Sequence, residues 1–150
     1  MRFLRGNLQD GRIRIKVGIR PFQAYEPVGG PSIAVDLNYY ECTALVDTGA
    51  RRTCVTERVV QAIGLKRKGR AEIWNIKRSE SHWTYLFHVA IWPDPVDAFT
   101  PSCPFGIGPE IEGIDVGNNY FFDVLLGMDI ISQGSLHLER DGSFVMAFPG

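Results

Sequence analysis

Ile13, Ile15, Val17 and Ile19 alternate with Arg12, Arg14, Lys16 and Gly18, the period-two pattern of a strand with one apolar face. Residues 21–31, rich in Pro and Gly, read as a loop. A hairpin is expected next, running out along Ile33–Leu37 and back along Cys42–Val46, with Asn38, Tyr39 and Tyr40 near its turn. Thr56–Ile63 is the best helix candidate. Thr56 suits the N-cap, Glu57 the first turn, Val59, Val60 and Ile63 one face, and Gly64 the left-handed end. A second hairpin is expected over 71–92, with Trp83, Tyr85, Phe87, Val89 and Ile91 alternating in its return strand and 77–81 at its tip. Residues 93–119 read as an irregular long loop or insertion. An apolar strand, 120–126, then ends at Gly127, and a short helix is expected near 128–133. The last hairpin places Leu136, Leu138 and Phe144–Phe148 around Asp141-Gly142, and Asp10-Gly11 reads as another turn.

The pattern is that of a mainly β chain, and 150 residues suit one domain, 1–150, with a core that needs no disulfide staples. The 16 basic and 17 acidic side chains leave a net charge of −1, so no polybasic field is available for nucleic acid or an anionic membrane. Lys66, Arg67, Lys68 and Arg70 form a short basic cluster, expected as a solvated loop. No apolar run approaches the roughly 18 residues of a membrane span. The first residues lack a signal core, and the chain is expected to be soluble and cytoplasmic. Cys42, Cys54 and Cys103 lack the pairing or spacing of a disulfide framework or zinc site and are expected as small buried apolar residues. His82, His88 and His137 share no ligand spacing, and no metal is expected.

The candidate chemistry lies in two blocks. In the first, the apolar run Ala44-Leu45-Val46 feeds into Asp47-Thr48-Gly49-Ala50 and continues through Thr53 and Val55. The second is Asp123-Val124-Leu125-Leu126-Gly127-Met128-Asp129. Asp-Thr-Gly alone occurs often by chance, and Asp47 could equally be a turn or helix-capping residue. The order and separation of the two blocks narrow the reading. Here the chain resembles the retropepsin-like aspartic proteases, the single-domain family of retroviral enzymes and their bacterial relatives. The resemblance spans residues 31–148 and leaves 1–30 and 93–119 unexplained.

The resemblance implies a mainly β acid-protease fold of antiparallel hairpins with one or two short helices. It implies an aspartic endopeptidase that hydrolyses polypeptides through a water activated by Asp47 and its copy in a homodimer, with no cofactor. Only one Asp-Thr-Gly exists in the chain, so one chain supplies one catalytic carboxyl group. By the same resemblance Thr48 braces the two loops, Gly49 lets backbone approach the carboxylates, and Ala50 leaves room for substrate. Leu125, Leu126, Gly127 and Asp129 become structural supports. The 71–92 hairpin becomes a flap, with Trp74, Asn75 and Ile76 near substrate, although Trp74 and Trp83 also suit core or dimer contacts. Two departures stand out. Arg51 follows Ala50 where the family often has a small or acidic residue, which raises the expectation of an Arg51–Asp129 ion pair and a contact of Arg51 with substrate. The flap tip, 75–81, has no glycine. The alternative is a catalytically silent scaffold or peptide-binding protein of the same fold.

Overall fold

The structure is a computed structural model that describes residues 1–22, 38–74, 76–99 and 102–150. In chain order its elements are β1 (Arg2–Asn7), β2 (Arg14–Pro21), β3 (Tyr40–Val46), β4 (Cys54–Thr56), α1 (Glu57–Ile63), β5 (Arg67–Trp74) and β6 (Ser79–Ile91). They continue with β7 (Phe105–Gly106), β8 (Ile111–Val116), β9 (Val124–Leu126), α2 (Met128–Ile131), β10 (Ser135–Leu138) and β11 (Ser143–Phe148).

The larger sheet has the order β2-β3-β9-β4-β8-β6-β5, and β7 also pairs with β6. Because β6 pairs with β2 as well, the path from β2 to β6 closes on itself. Closure removes most free edges and gives every inward side chain the same core. Val17, Ile19, Phe87, Ile91, Val124 and Leu126 are fully buried there. The alternation read at 13–19 therefore has its physical cause: Ile13, Ile15, Val17 and Ile19 are all buried, while Lys16 lies outside. A smaller sheet, β1-β11-β10, is antiparallel throughout, and its Phe144, Met146 and Phe148 join the same buried cluster.

Helix α1 occupies the expected span. Thr56 takes the extended N-cap conformation, and Gly64 closes the helix at φ 66°. The Thr56 hydroxyl does not cap the helix, however, and donates instead to the Asp123 carbonyl at 2.9 Å. The capping acceptor comes from a distant loop: Asn118 Oδ1 takes the Arg58 N–H at 3.0 Å. At the C-terminus, the turn between β10 and β11 spans 139–142, with Gly142 at φ 89°.

Several expectations need correction. Residues 93–119 are not all irregular, since 105–106 and 111–116 are strands and β8 lies between β4 and β6. Gly113 and the surrounding turn residues hid that strand. Gly113 is needed because a Cβ there would lie 2.4 Å from the Phe87 ring. The apolar stretch 120–126 is strand only from Val124, and Tyr120 is fully exposed. Arg67, Lys68 and Arg70 lie in β5 rather than in a loop. One face of that strand, Gly69, Ala71 and Ile73, is half-buried and the other is exposed, and the small Gly69 and Ala71 leave little apolar alternation in the sequence. Arg67 and Arg70 both lie over the Trp83 ring, at 4.1 and 4.3 Å, and Lys68 pairs with Glu112. Ser79–Ser81 belong to β6, so the hairpin tip lies before them. The outgoing strand expected at 33–37, most of the 21–31 loop, and Asn75 fall outside the described residues.

Cys42 and Cys54 are buried, as expected, whereas Cys103 is exposed. Burial pushes the Cys42 thiol up to about 12 and the Cys54 thiol to about 11, with nearby carboxylates adding to the effect. A raised pKa keeps both thiols protonated well above neutrality. Iodoacetamide at pH 8 should therefore modify Cys103 alone in the native protein and all three cysteines after denaturation, as read by peptide mass mapping. Phe87→Ala, which empties a fully buried site, should cost about 3–5 kcal/mol in denaturant unfolding.

Candidate active site

Strand β3 delivers Asp47. Its last residue, Val46, donates to the Ile13 carbonyl at 2.9 Å, and the Asp47 N–H donates to Leu126 at 2.9 Å. The chain then turns tightly. Ala50 N–H donates to the Asp47 carbonyl at 3.2 Å, and Gly49 N–H donates to Asp47 Oδ1 at 2.8 Å. The carboxylate is thus held over its own loop by a local amide. A Cβ on Gly49 would lie 3.2 Å from that same oxygen, so glycine allows the close approach. Thr48 and Gly49 are exposed, and Asp47 and Ala50 are half-buried.

The second block supports this loop from below. Strand β9 pairs parallel with β3, placing Ala44, Leu45 and Val46 beside Val124, Leu125 and Leu126. It pairs antiparallel with β4 through Cys54–Leu125 and Val55–Val124. One strand therefore grips both arms of the 47–53 loop. Gly127 sits where the chains cross: a Cβ there would lie 2.6 Å from the Arg52 carbonyl and 2.9 Å from the Thr53 nitrogen. The Gly127 N–H donates to Thr53 Oγ1 at 3.1 Å, and Met128 and Asp129 N–H groups donate to the Ala50 and Arg51 carbonyls.

Asp129 does not form the expected ion pair with Arg51. Its carboxylate accepts from the Thr53 N–H at 2.9 Å and the Thr53 hydroxyl at 2.7 Å, while Arg51 is exposed. Two short, partly buried hydrogen bonds to a charged acceptor hold one geometry better than an exposed ion pair does.

A cavity of about 320 Å³ lies beside Asp47, lined by Leu8, Arg12, Leu45, Thr48, Leu136 and Leu138 among others. A larger one, about 440 Å³, is lined by residues of β2 and β3 with Gln9 and contains none of the expected site residues. At the β5–β6 tip Trp74 and Ile76 project outward, 73% and 104% exposed, and neither lines the Asp47 cavity. A core role for Trp74 is therefore excluded. His82 lies 2.7 Å from Asp115, but no group of three or more His, Cys, Asp or Glu side chains that could hold a metal exists among the described residues.

Three features escaped sequence reasoning. The Thr53–Asp129 bonds and the nearness of Arg12 to Asp47 arise from residues far apart in the chain. The third is the clamp of Arg58 on Asp123, at 2.9 Å, with further bonds to the carbonyls of Asn119 and Phe122. The adjacent Asn118-Asn119 pair, a capping and turn signal, was the one legible hint of it.

In a double-mutant cycle, Thr53→Val and Asp129→Ala should couple by about 1–3 kcal/mol, and Arg51→Ala and Asp129→Ala should add. Coupling confined to the second pair would contradict the geometry.

No family model matches the chain, and no curated protein matches it by sequence. Solved structures do match. A crystal structure of a retropepsin-like aspartic protease from Rickettsia conorii superposes with a TM-score of 0.59, at 14% identity, over 97% of this chain and 90% of that one. A retroviral protease-like domain of Ddi1 from Leishmania major gives 0.35 at 14% identity, over 68% and 74% of the two chains. A foamy viral protease-reverse transcriptase gives 0.38 at 15% identity, over 83% of this chain and 13% of that one. With its Asp47 loop cradled by β9 and its mainly β architecture, the chain has the retropepsin-like fold.

Proposed function

We propose that the chain is one half of an aspartic endopeptidase that is completed by a second copy of itself. The observation that carries this reading is the Asp47 loop. A carboxylate, half-exposed beside a cavity, is fixed by a local N–H and supported from below by β9 and Gly127. Such fixing suits a group that must meet a reacting atom in one geometry.

One carboxylate is only half of the chemistry. Hydrolysis of an amide by water needs a base that accepts a proton from the water and an acid that gives one to the carbonyl oxygen. Two carboxyl groups brought close together cannot both ionise, and a shared proton makes one the base and the other the acid. Asp47 and its copy across a two-fold axis would be such a pair. Water adds to the carbonyl carbon as its proton passes to the ionised carboxylate and the other carboxyl protonates the oxygen. The C–N bond then breaks as the amine nitrogen takes up a proton. Water and the two carboxyls suffice for these steps, so the reading requires no cofactor.

The edge of the small sheet supports the dimer. In the order β1-β11-β10, β10 has a second edge with no strand partner among the described residues. Leu138 on it is 54% exposed, and Leu136 and Leu138 both line the cavity beside Asp47. An apolar edge next to the half-site suits isologous pairing of two copies. An extended polypeptide would lie across the joined cavities, with Thr48, Gly49 and Ala50 at the loop. Trp74 and Ile76 would approach from the hairpin tip. Arg51, exposed at the loop's end, would meet the substrate or the other copy.

Intact protein should cleave members of a peptide library between about pH 4 and 7, with activity falling by pH 8 as the shared proton is lost. Asp47→Asn, which keeps the shape but cannot share the proton, should abolish cleavage. Equal cleavage by both proteins would refute the reading. A dimer that cleaves nothing would instead support the silent peptide-binding alternative. Leu138→Asp should give a monomer by light scattering and lose activity in parallel.

A further inference from the structure

Among the described residues that line the cavity beside the loop, Arg12 is the one charged group apart from Asp47, and the rest are apolar except for Thr48. Arg12 is placed by a tight turn. Asp10 and Gly11 take positive φ angles of 52° and 72°, and Gln9 and Arg12 exchange backbone hydrogen bonds of 2.8 and 3.0 Å. The next residue, Ile13, accepts the Val46 N–H, so the turn is tied one residue away from Asp47.

The side chain is placed too. The Arg12 guanidinium carbon lies 5.4 Å from the centre of the Phe121 ring. Phe121 stands on a loop with little freedom, because Asn119 Oδ1 accepts the N–H groups of Phe121 and Phe122 at 2.8 and 2.9 Å. Arg58 fixes the same loop through Asp123 and two carbonyls. A guanidinium stacked on a ring keeps its in-plane N–H edge for an anion. Among the described residues no carboxylate pairs with Arg12. A positioned cation with no carboxylate partner among the described residues, beside an apolar cavity, selects a ligand with both an apolar part and a carboxylate, and it disfavours a cationic one.

We infer that Arg12 determines specificity, selecting polypeptides that present an Asp or Glu side chain beside the apolar residue held in the Asp47 cavity. The inference rests on the peptidase reading for the nature of the ligand. Arg12 touches the substrate but takes no part in proton transfer.

The test is a panel of octapeptides that differ only in Glu, Gln or Lys at each position in turn. Two readouts are taken: cleavage rate by the intact protein, and binding to the Asp47→Asn variant by fluorescence anisotropy. At one position Glu should be favoured over Gln by about tenfold in both readouts, with Lys weakest. Arg12→Gln should shrink the Glu-to-Gln ratio to within about twofold, and Arg12→Glu should turn the preference toward Lys, a gain that a misfolded protein could not show. A flat profile in the intact protein, or one unchanged by Arg12→Gln, overturns the inference. Cleavage with a flat profile would leave the Asp47 reading standing without Arg12. Glu-selective binding that depends on Arg12 without any cleavage would leave Arg12 standing and remove the peptidase reading.

Discussion

The candidate site depends on the crossing at Gly127. Two stretches of chain, 50–53 and 127–129, approach so closely that no side chain fits between them, and they bond backbone to backbone. Thr53 closes the contact: its hydroxyl accepts from Gly127 and donates to Asp129, and its own N–H donates to Asp129 as well. Every polar group at the crossing that these bonds involve gains a partner, which is the condition for burying them at all. The 47–53 loop is thereby fixed at its far end, while β3 and β9 fix its near end. Between those anchors Asp47 has little freedom to leave its position.

The same arrangement explains why the chain reads as half a machine. It brings the Asp47 carboxylate, the cavity beside it and an edge strand with apolar side chains onto adjoining elements. In the proposed reading, proton transfer in two directions needs a second carboxylate, and the edge strand would be the place where another copy joins. In the proposed dimer, chemistry and assembly would be coupled by geometry, because Leu136 and Leu138 line the cavity beside Asp47 and stand on the edge strand where the second copy would join.

Much of this was legible in the sequence where a local signal had a strong physical cause. The alternation of Ile13, Ile15, Val17 and Ile19 reports a one-sided strand, and Gly64 reports a helix end because few other residues accept its φ. The two blocks around Asp47 and Gly127 pointed to a contact that β9 supplies. Elements without one buried face stayed hidden. Strand β5 is only half-buried on one face, where Gly69 and Ala71 are small, and β8 carries a glycine that makes room for the Phe87 ring. Charge pairing was legible least of all. Arg51 looked like the partner of Asp129, but the short Thr53 side chain reaches it first, with backbone and hydroxyl together. Nothing in residue type distinguishes those outcomes, because the choice is made by the crossing geometry.

The central claim is that one catalytic unit takes one Asp47 from each of two chains. Mixing tests it most directly. Intact protein and Asp47→Asn protein would be unfolded together, refolded at varied ratios and assayed for peptide cleavage at constant total chain. If each site needs both aspartates, activity follows the square of the intact fraction, so an equal mixture retains about a quarter of the activity of the pure protein. Activity that follows the intact fraction linearly, about half in the same mixture, would show that each chain carries a complete site and would contradict the account.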